Sequence, residues 1–331
     1  MRQNWLLQIV IAVLLAGVAA GQTGTALSGP TLGLVFDSSQ SALRPIRGIP
    51  GAATLGDLVN PGFALASATI SPVQGYALAL RADDSSVVLV RASGASAAIP
   101  GARPAPALVV FSPAGTAAAL YDSGAARVQI LTGLPDAAAL QSDIDISALA
   151  GPVAALAVND AGTSLLLAAG QAGTVSLYRT GMDGAAPQFL ASFRSVAALN
   201  LSGTGHEALL ADSAAGAVYA IRDLPGPGRI ETLASARDGL AAPIAVDSDS
   251  AGRIFVADQA GNVTILDRAH GSVSSLPCGC VPTGLFRLSG TATFRLTEPS
   301  GAPTWVLDAS GADPRIVAIP PGAPADNGGA Q

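Results

Sequence analysis

The chain contains no lysine, and all 17 of its basic residues are arginine. Aromatic residues are only 4% and charged residues 12% of the sequence, against 50% apolar. Burial therefore falls mainly to Ala, Val, Leu and Ile. A net charge of −6 without basic clusters argues against nucleic acid and anionic membrane surfaces as partners. His206, His270, Cys278 and Cys280 exhaust the histidines and cysteines. Two cysteines alone cannot complete a zinc site, and neither histidine sits in a zinc-binding spacing. No Gly-x-Ser-x-Gly elbow and no glycine-rich phosphate loop occur, so nucleophilic catalysis has no support.

Long hydrophobic runs are also missing, despite a mean hydropathy of +0.47. After residue 30 the apolar runs are about four to eight residues long, well short of the roughly 20 that a spanning helix needs. The N-terminus is the exception. Arg2 precedes an apolar run from Trp5 to Ala20, and Val18-Ala19-Ala20 has the small-residue pattern of a signal-peptidase site. Residues 1–20 are expected to be a cleaved signal peptide, with an uncleaved anchor as the alternative. The mature protein is then secreted or periplasmic, with no membrane span beyond that segment.

What the chain has in quantity is punctuation, with 38 Gly and 23 Pro dividing short apolar runs. The polar residue or glycine expected to end the first strand of each hairpin recurs as Asp37, Asp83, Asp122, Gly170, Asp212, Asp258 and Glu298, at intervals of 46, 39, 48, 42, 46 and 40. A period in the low forties with several short strands per unit predicts an all-β fold, a β-propeller. Seven four-stranded antiparallel blades are expected, with six as the alternative. Arg253–Asp267 is the best-preserved hairpin, with strands Ile254–Ala257 and Val263–Leu266. In the first unit Leu32–Phe36, Ser41–Ile46 and Gly51–Leu55 serve as the second to fourth strands, and Thr23–Leu27 is expected to supply the innermost one. Residues 21–319 then form one domain and 320–331 a disordered tail.

The motifs resemble bacterial β-propeller repeats of the YVTN and NHL kind. Pro282-Thr283-Gly284 matches the approach to the innermost strand, and Ser112-Pro113-Ala114-Gly115 matches the turn leaving it. Val256-Ala257-Asp258 and Val263-Thr264-Ile265-Leu266-Asp267 match the hairpin. The resemblance covers roughly residues 30–319 and implies the fold without specifying a chemistry.

Two candidate sites follow. Asp37, Asp83, Asp122, Asp212, Asp258 and Glu298 are expected to ring one face, as a field for cations or an Arg-rich partner or simply as turn openers. Asn200, Asp247 and Arg287 are expected on innermost strands, facing the axial channel, with Asn159 at a strand end. Lactonases and related hydrolases, which such propellers resemble, hold a divalent metal in that channel. Calcium is the hard ion that carboxylate and amide oxygens suit, although Arg287 opposes a cation. No cofactor is otherwise expected. Cys278-Gly279-Cys280 is expected to close a small disulfide as a loop clasp, with redox exchange as the functional alternative. The overall expectation is a monomeric binding or interaction module for a protein or small ligand, with a lactonase-like propeller hydrolase as the alternative.

Overall fold

The computed structural model describes residues 29–171, 173–181, 185–224 and 226–321. Thr31 onward forms one compact unit. The expected signal segment, Thr23–Leu27 and nearly all of the tail lie outside the described residues.

Seven separate antiparallel sheets follow one another along the chain, each with strands in sequential order from one edge to the other. Blades 2 to 7 have four strands, whereas blade 1 has three described strands, Thr31–Asp37, Ala42–Arg47 and Thr54–Leu55. These three correspond to the second, third and fourth strands expected from the sequence. The first strands of blades 2 to 7 are innermost. They begin at Leu65, Leu108, Val153, Ala198, Pro243 and Phe286, and residues from each of them line a central cavity. The fold is a seven-bladed β-propeller. No α-helix occurs among the described residues, and none of their helices is long and apolar enough to cross a membrane.

The second strand of each blade shows why the ring forms. In Ser164–Gln171, the side chains of Leu165, Leu167 and Ala169 pack toward blade 3, while Leu166 and Ala168 pack toward blade 5. Side chains alternate across a strand, so a continuous apolar run makes both faces of a sheet hydrophobic. Seven buried clusters result, one for each interface between neighbouring blades. Each large aliphatic side chain buried there contributes about 1.5–3 kcal/mol. Small residues set how closely the blades approach: Ala117, Ala118 and Ala119 are fully buried in blade 3.

The ring closes between blade 7 and blade 1 without a shared sheet among the described strands. Leu32, Val35 and Ile46 of blade 1 meet Leu288, Val306 and Ile319 of blade 7. The Ser289 N–H donates to the Leu32 carbonyl at 2.8 Å. Gln74, in the first turn of blade 2, crosses the same seam. Its Oε1 accepts the Leu34 N–H at 2.7 Å, and its Nε2 donates to the Arg287 carbonyl. Gly33 sits under this bridge, where an added Cβ would meet Gln74 Oε1 at 2.5 Å and Leu288 Cδ2 at 2.7 Å.

Gly33→Ala should therefore lower thermal stability, by about 1–3 kcal/mol, because the space is already filled. Gly301→Ala, where nothing lies within 4 Å, should have little effect. Thermal melts followed by circular dichroism compare the two. Equal melting temperatures would show that the seam does not depend on this contact.

Candidate functional site: the axial cavity

The innermost strands enclose a cavity of about 930 Å³. One side is apolar, lined by Val110 and Phe111 of blade 3 and Leu156 and Val158 of blade 4. The other side is polar, and Asn200, Asp247 and Arg287 all line it, where the sequence places them. They come from successive blades, 5, 6 and 7, because each lies near the end of its first strand.

These three side chains are tied into the wall. Asn200 Nδ2 donates to the Val246 carbonyl. Arg287 Nη2 donates to Asp247 Oδ1 at 2.7 Å and to the Ser248 carbonyl, and the guanidinium lies 5.0 Å from the Phe294 ring centroid. The Ser248 N–H donates to the same Asp247 oxygen at 2.7 Å. Burial pushes the Asp247 carboxyl above the usual carboxylate range, and the Arg287 charge opposes that shift.

Two further ion pairs line the cavity that the sequence reading did not single out. Arg295 is only 4% exposed, stacks 4.1 Å from the Phe286 ring centroid and meets Glu298 at 2.7 Å. Burial pulls the Arg295 guanidinium below its ordinary value, and Glu298 opposes this. The available signal was a charged residue inside the apolar strand Thr293-Phe294-Arg295-Leu296, where only a partnered charge is tolerated. Arg268 of blade 6 reaches Glu207 of blade 5 at 3.1 Å. Nothing local in the sequence relates those two residues.

The acids after the second strands divide into two groups. Asp37, Asp122, Asp212 and Asp258 are the last residues of their strands, whereas Asp83 and Glu298 lie beyond the ends of theirs. In blade 2 the strand ends at Arg81, and Asp83 turns back to accept the Arg81 Nε–H at 2.9 Å. In blade 7 Thr297 follows the paired Leu296, and its Oγ1 accepts the Trp305 N–H at 3.0 Å. Five of the six bind turn amides, Asp83 through the Asp84 N–H at 3.0 Å. Asp122 Oδ1 accepts the Gly124 and Ala125 N–H groups. Asp37 accepts the Ser39 N–H and pairs with Arg44 at 3.3 Å. Asp258 accepts the Asn262 N–H at 2.9 Å.

Asp212 does more, and it is 1% exposed. It accepts from the Arg194 and Ser195 N–H groups, the Ser195 hydroxyl and the Ala215 N–H, tying the turn of blade 5 to the segment arriving from blade 4. Asn159 is buried and bonds within its own turn, to Thr163 and Ser164. His206 and His270 are exposed turn residues, the latter 2.8 Å from Asp267. Cys278 and Cys280 lie with Cα atoms 5.0 Å apart and their sulfurs adjacent. The Cys278 N–H donates to the Gly261 carbonyl at 2.7 Å, which seats this loop on the turn of the 253–267 hairpin. Among the described residues, no three His, Cys, Asp or Glu side chains form a group able to hold a metal ion.

Asp212→Ala strands four donors in a buried site and should destabilise by about 2–4 kcal/mol, measured by chemical denaturation. Asp83→Ala, at an exposed position, should cost far less. Equal losses would mean that the acids share one role. The Arg81 hydrogen bond lowers the Asp83 carboxyl to about 2. A depressed carboxylate stabilises the fold above its unfolded value, near 3.8, and loses that contribution as pH falls toward 2. In a carbon-13 NMR titration, Arg81→Ala should return the Asp83 midpoint toward 3.8.

No protein-family model matches the sequence, and no curated protein matches it. Solved structures do share its shape. A functionally unknown protein from Desulfotomaculum acetoxidans superimposes with a TM-score of 0.58 at 14% identity, over 88% of this chain and 100% of that one. Streptogramin B lyase gives 0.57 at 10% identity, over 79% and 86%. PorZ, a surface component of the type-IX secretion system of Porphyromonas gingivalis, gives 0.57 at 15% identity, over 88% of this chain and 39% of PorZ. At such identities the likeness establishes the architecture alone: the chain is a β-propeller repeat protein.

Proposed function

We propose that the protein is a secreted or periplasmic binding module that holds a small ligand in its axial cavity. The observation that carries this reading is the cavity of about 930 Å³, apolar on one side and polar on the other. Its size lies in the range of small-molecule sites, which combine apolar walls with a few placed polar groups. Arg2 and the apolar run ending in Val18-Ala19-Ala20 support export. The likeness to YVTN- and NHL-type repeats rests on turn motifs and adds nothing about the ligand. In an oxidising compartment the adjacent Cys278 and Cys280 form a disulfide that clasps the loop before blade 7, their Cα separation of 5.0 Å being that of bonded pairs.

A neutral environment-sensitive dye such as Nile red should bind saturably at one site per chain. Val110→Trp, which puts an indole at the apolar wall, should abolish that binding in protein that circular dichroism shows to be folded. Unsaturable dye uptake, or full binding by the variant, would overturn the reading. Stoichiometric calcium in purified protein would replace it with a metal-centred one. N-terminal sequencing of protein from the extracytoplasmic fraction should begin at Gly21, and intact mass without reductant should be about two hydrogens below the thiol form.

A further inference from the structure

We infer that the axial cavity recognises a neutral group carrying an N–H and a C=O on the same edge, namely a lactam or a primary carboxamide, attached to an aliphatic body. This inference rests on the reading of the cavity as a ligand site and specifies what that site reads.

The cavity charges cancel in pairs. Asp247 faces Arg287 at 2.7 Å, Glu298 faces Arg295 at 2.7 Å and Glu207 faces Arg268 at 3.1 Å. An ionic ligand that broke the Asp247–Arg287 pair would leave one of these two mostly buried charges without its partner, which is costly. A neutral ligand leaves all three intact. The apolar wall, where Val110 and Phe111 keep part of their surface accessible, adds burial for a hydrocarbon body on the opposite side.

The Asp247–Arg287 pair then supplies the specificity. The bonds already made use one carboxylate oxygen and one guanidinium nitrogen: Asp247 Oδ1 accepts from Arg287 Nη2 and from the Ser248 N–H, and the same Nη2 donates to the Ser248 carbonyl. Among the described residues, Asp247 Oδ2 accepts no hydrogen bond, and Arg287 Nε and Nη1 donate none. The side chains keep 19% and 24% of their surface accessible, and both line the cavity. An acceptor thus stands beside donors on one wall. A single carboxylate or amine satisfies only half of that pattern. A lactam or primary carboxamide satisfies both halves, because its N–H and C=O project to the same side. A trans secondary amide points them in opposite directions and fits poorly. Asn200 lies on the neighbouring strand, and with its Nδ2 bound to the Val246 carbonyl it offers Oδ1 as a further acceptor for a second amide hydrogen.

The test is calorimetric titration of the full-length mature protein with octanamide, N,N-dimethyloctanamide and ε-caprolactam, checked by displacement of Nile red. Octanamide should bind saturably and at least tenfold more tightly than its dimethyl analogue, which keeps the carbonyl and body but has no N–H. Caprolactam should likewise bind more tightly than N-methylcaprolactam, which keeps the ring and carbonyl but has no N–H. In Asp247→Asn the new amide pairs with Arg287 through its oxygen and turns NH₂ groups toward the cavity, so the preference for octanamide should vanish. The two comparisons between ligands need no variant, so they decide the matter even if Asp247→Asn folds poorly. Equal affinity for octanamide and its dimethyl analogue, or no saturable binding of either amide, overturns the inference. If Nile red still binds at one site in that case, the cavity remains a ligand site and only its amide specificity is lost.

Discussion

Every blade of this protein is apolar on both faces, and the rest of the structure depends on that. A sheet such as residues 164–193 buries one side against blade 3 and the other against blade 5, and it has no side that suits water. The units are therefore not modules that fold and then assemble. Each interface supplies half of the burial its two blades need, and removing one leaves two exposed apolar faces. A chain so poor in aromatic residues can still build a core this way, because many small aliphatic contacts at close range replace a few large ones.

The same constraint determines where chemistry can lie. With both faces of each sheet committed to packing, polar side chains are left at the strand ends, the outer strands and the inner edges that face the axis. Asp212 shows the first use, tying the turn of blade 5 to the segment arriving from blade 4 through three hydrogen bonds. Asn200, Asp247 and Arg287 show the last. Charges at the axis neutralise one another, between blades in two pairs and within blade 7 in the third, so the cavity is polar in places without carrying a strong field of either sign.

The architecture was legible in the sequence because it is written in spacing. A recurrence of about 40 residues and turns such as Ser112-Pro113-Ala114-Gly115 survive without any knowledge of contacts. Asn200, Asp247 and Arg287 were legible for a related reason, since a polar residue near the end of an inner strand has only the axis to face. The seam was not. Gln74 belongs to a turn motif, and nothing near it in sequence indicates that its amide spans Leu34 and Arg287, the second of these 213 positions away. The acidic series was only partly legible. Local turn chemistry accounts for the five aspartates but not for Glu298, which pairs with Arg295, while register decides whether the acid ends the strand, as Asp258 does, or overshoots it, as Asp83 does.

The closure between blades 7 and 1 has one further consequence. Because the described strands of the two blades form separate sheets, that junction is held by the same kind of side-chain packing as the other six, with the Gln74 bridge added. A ring closed in this manner has no privileged starting point. Its topology belongs to the cycle of interfaces rather than to the order in which the chain visits them, so a lineage could begin the chain at a different blade and keep the same molecule.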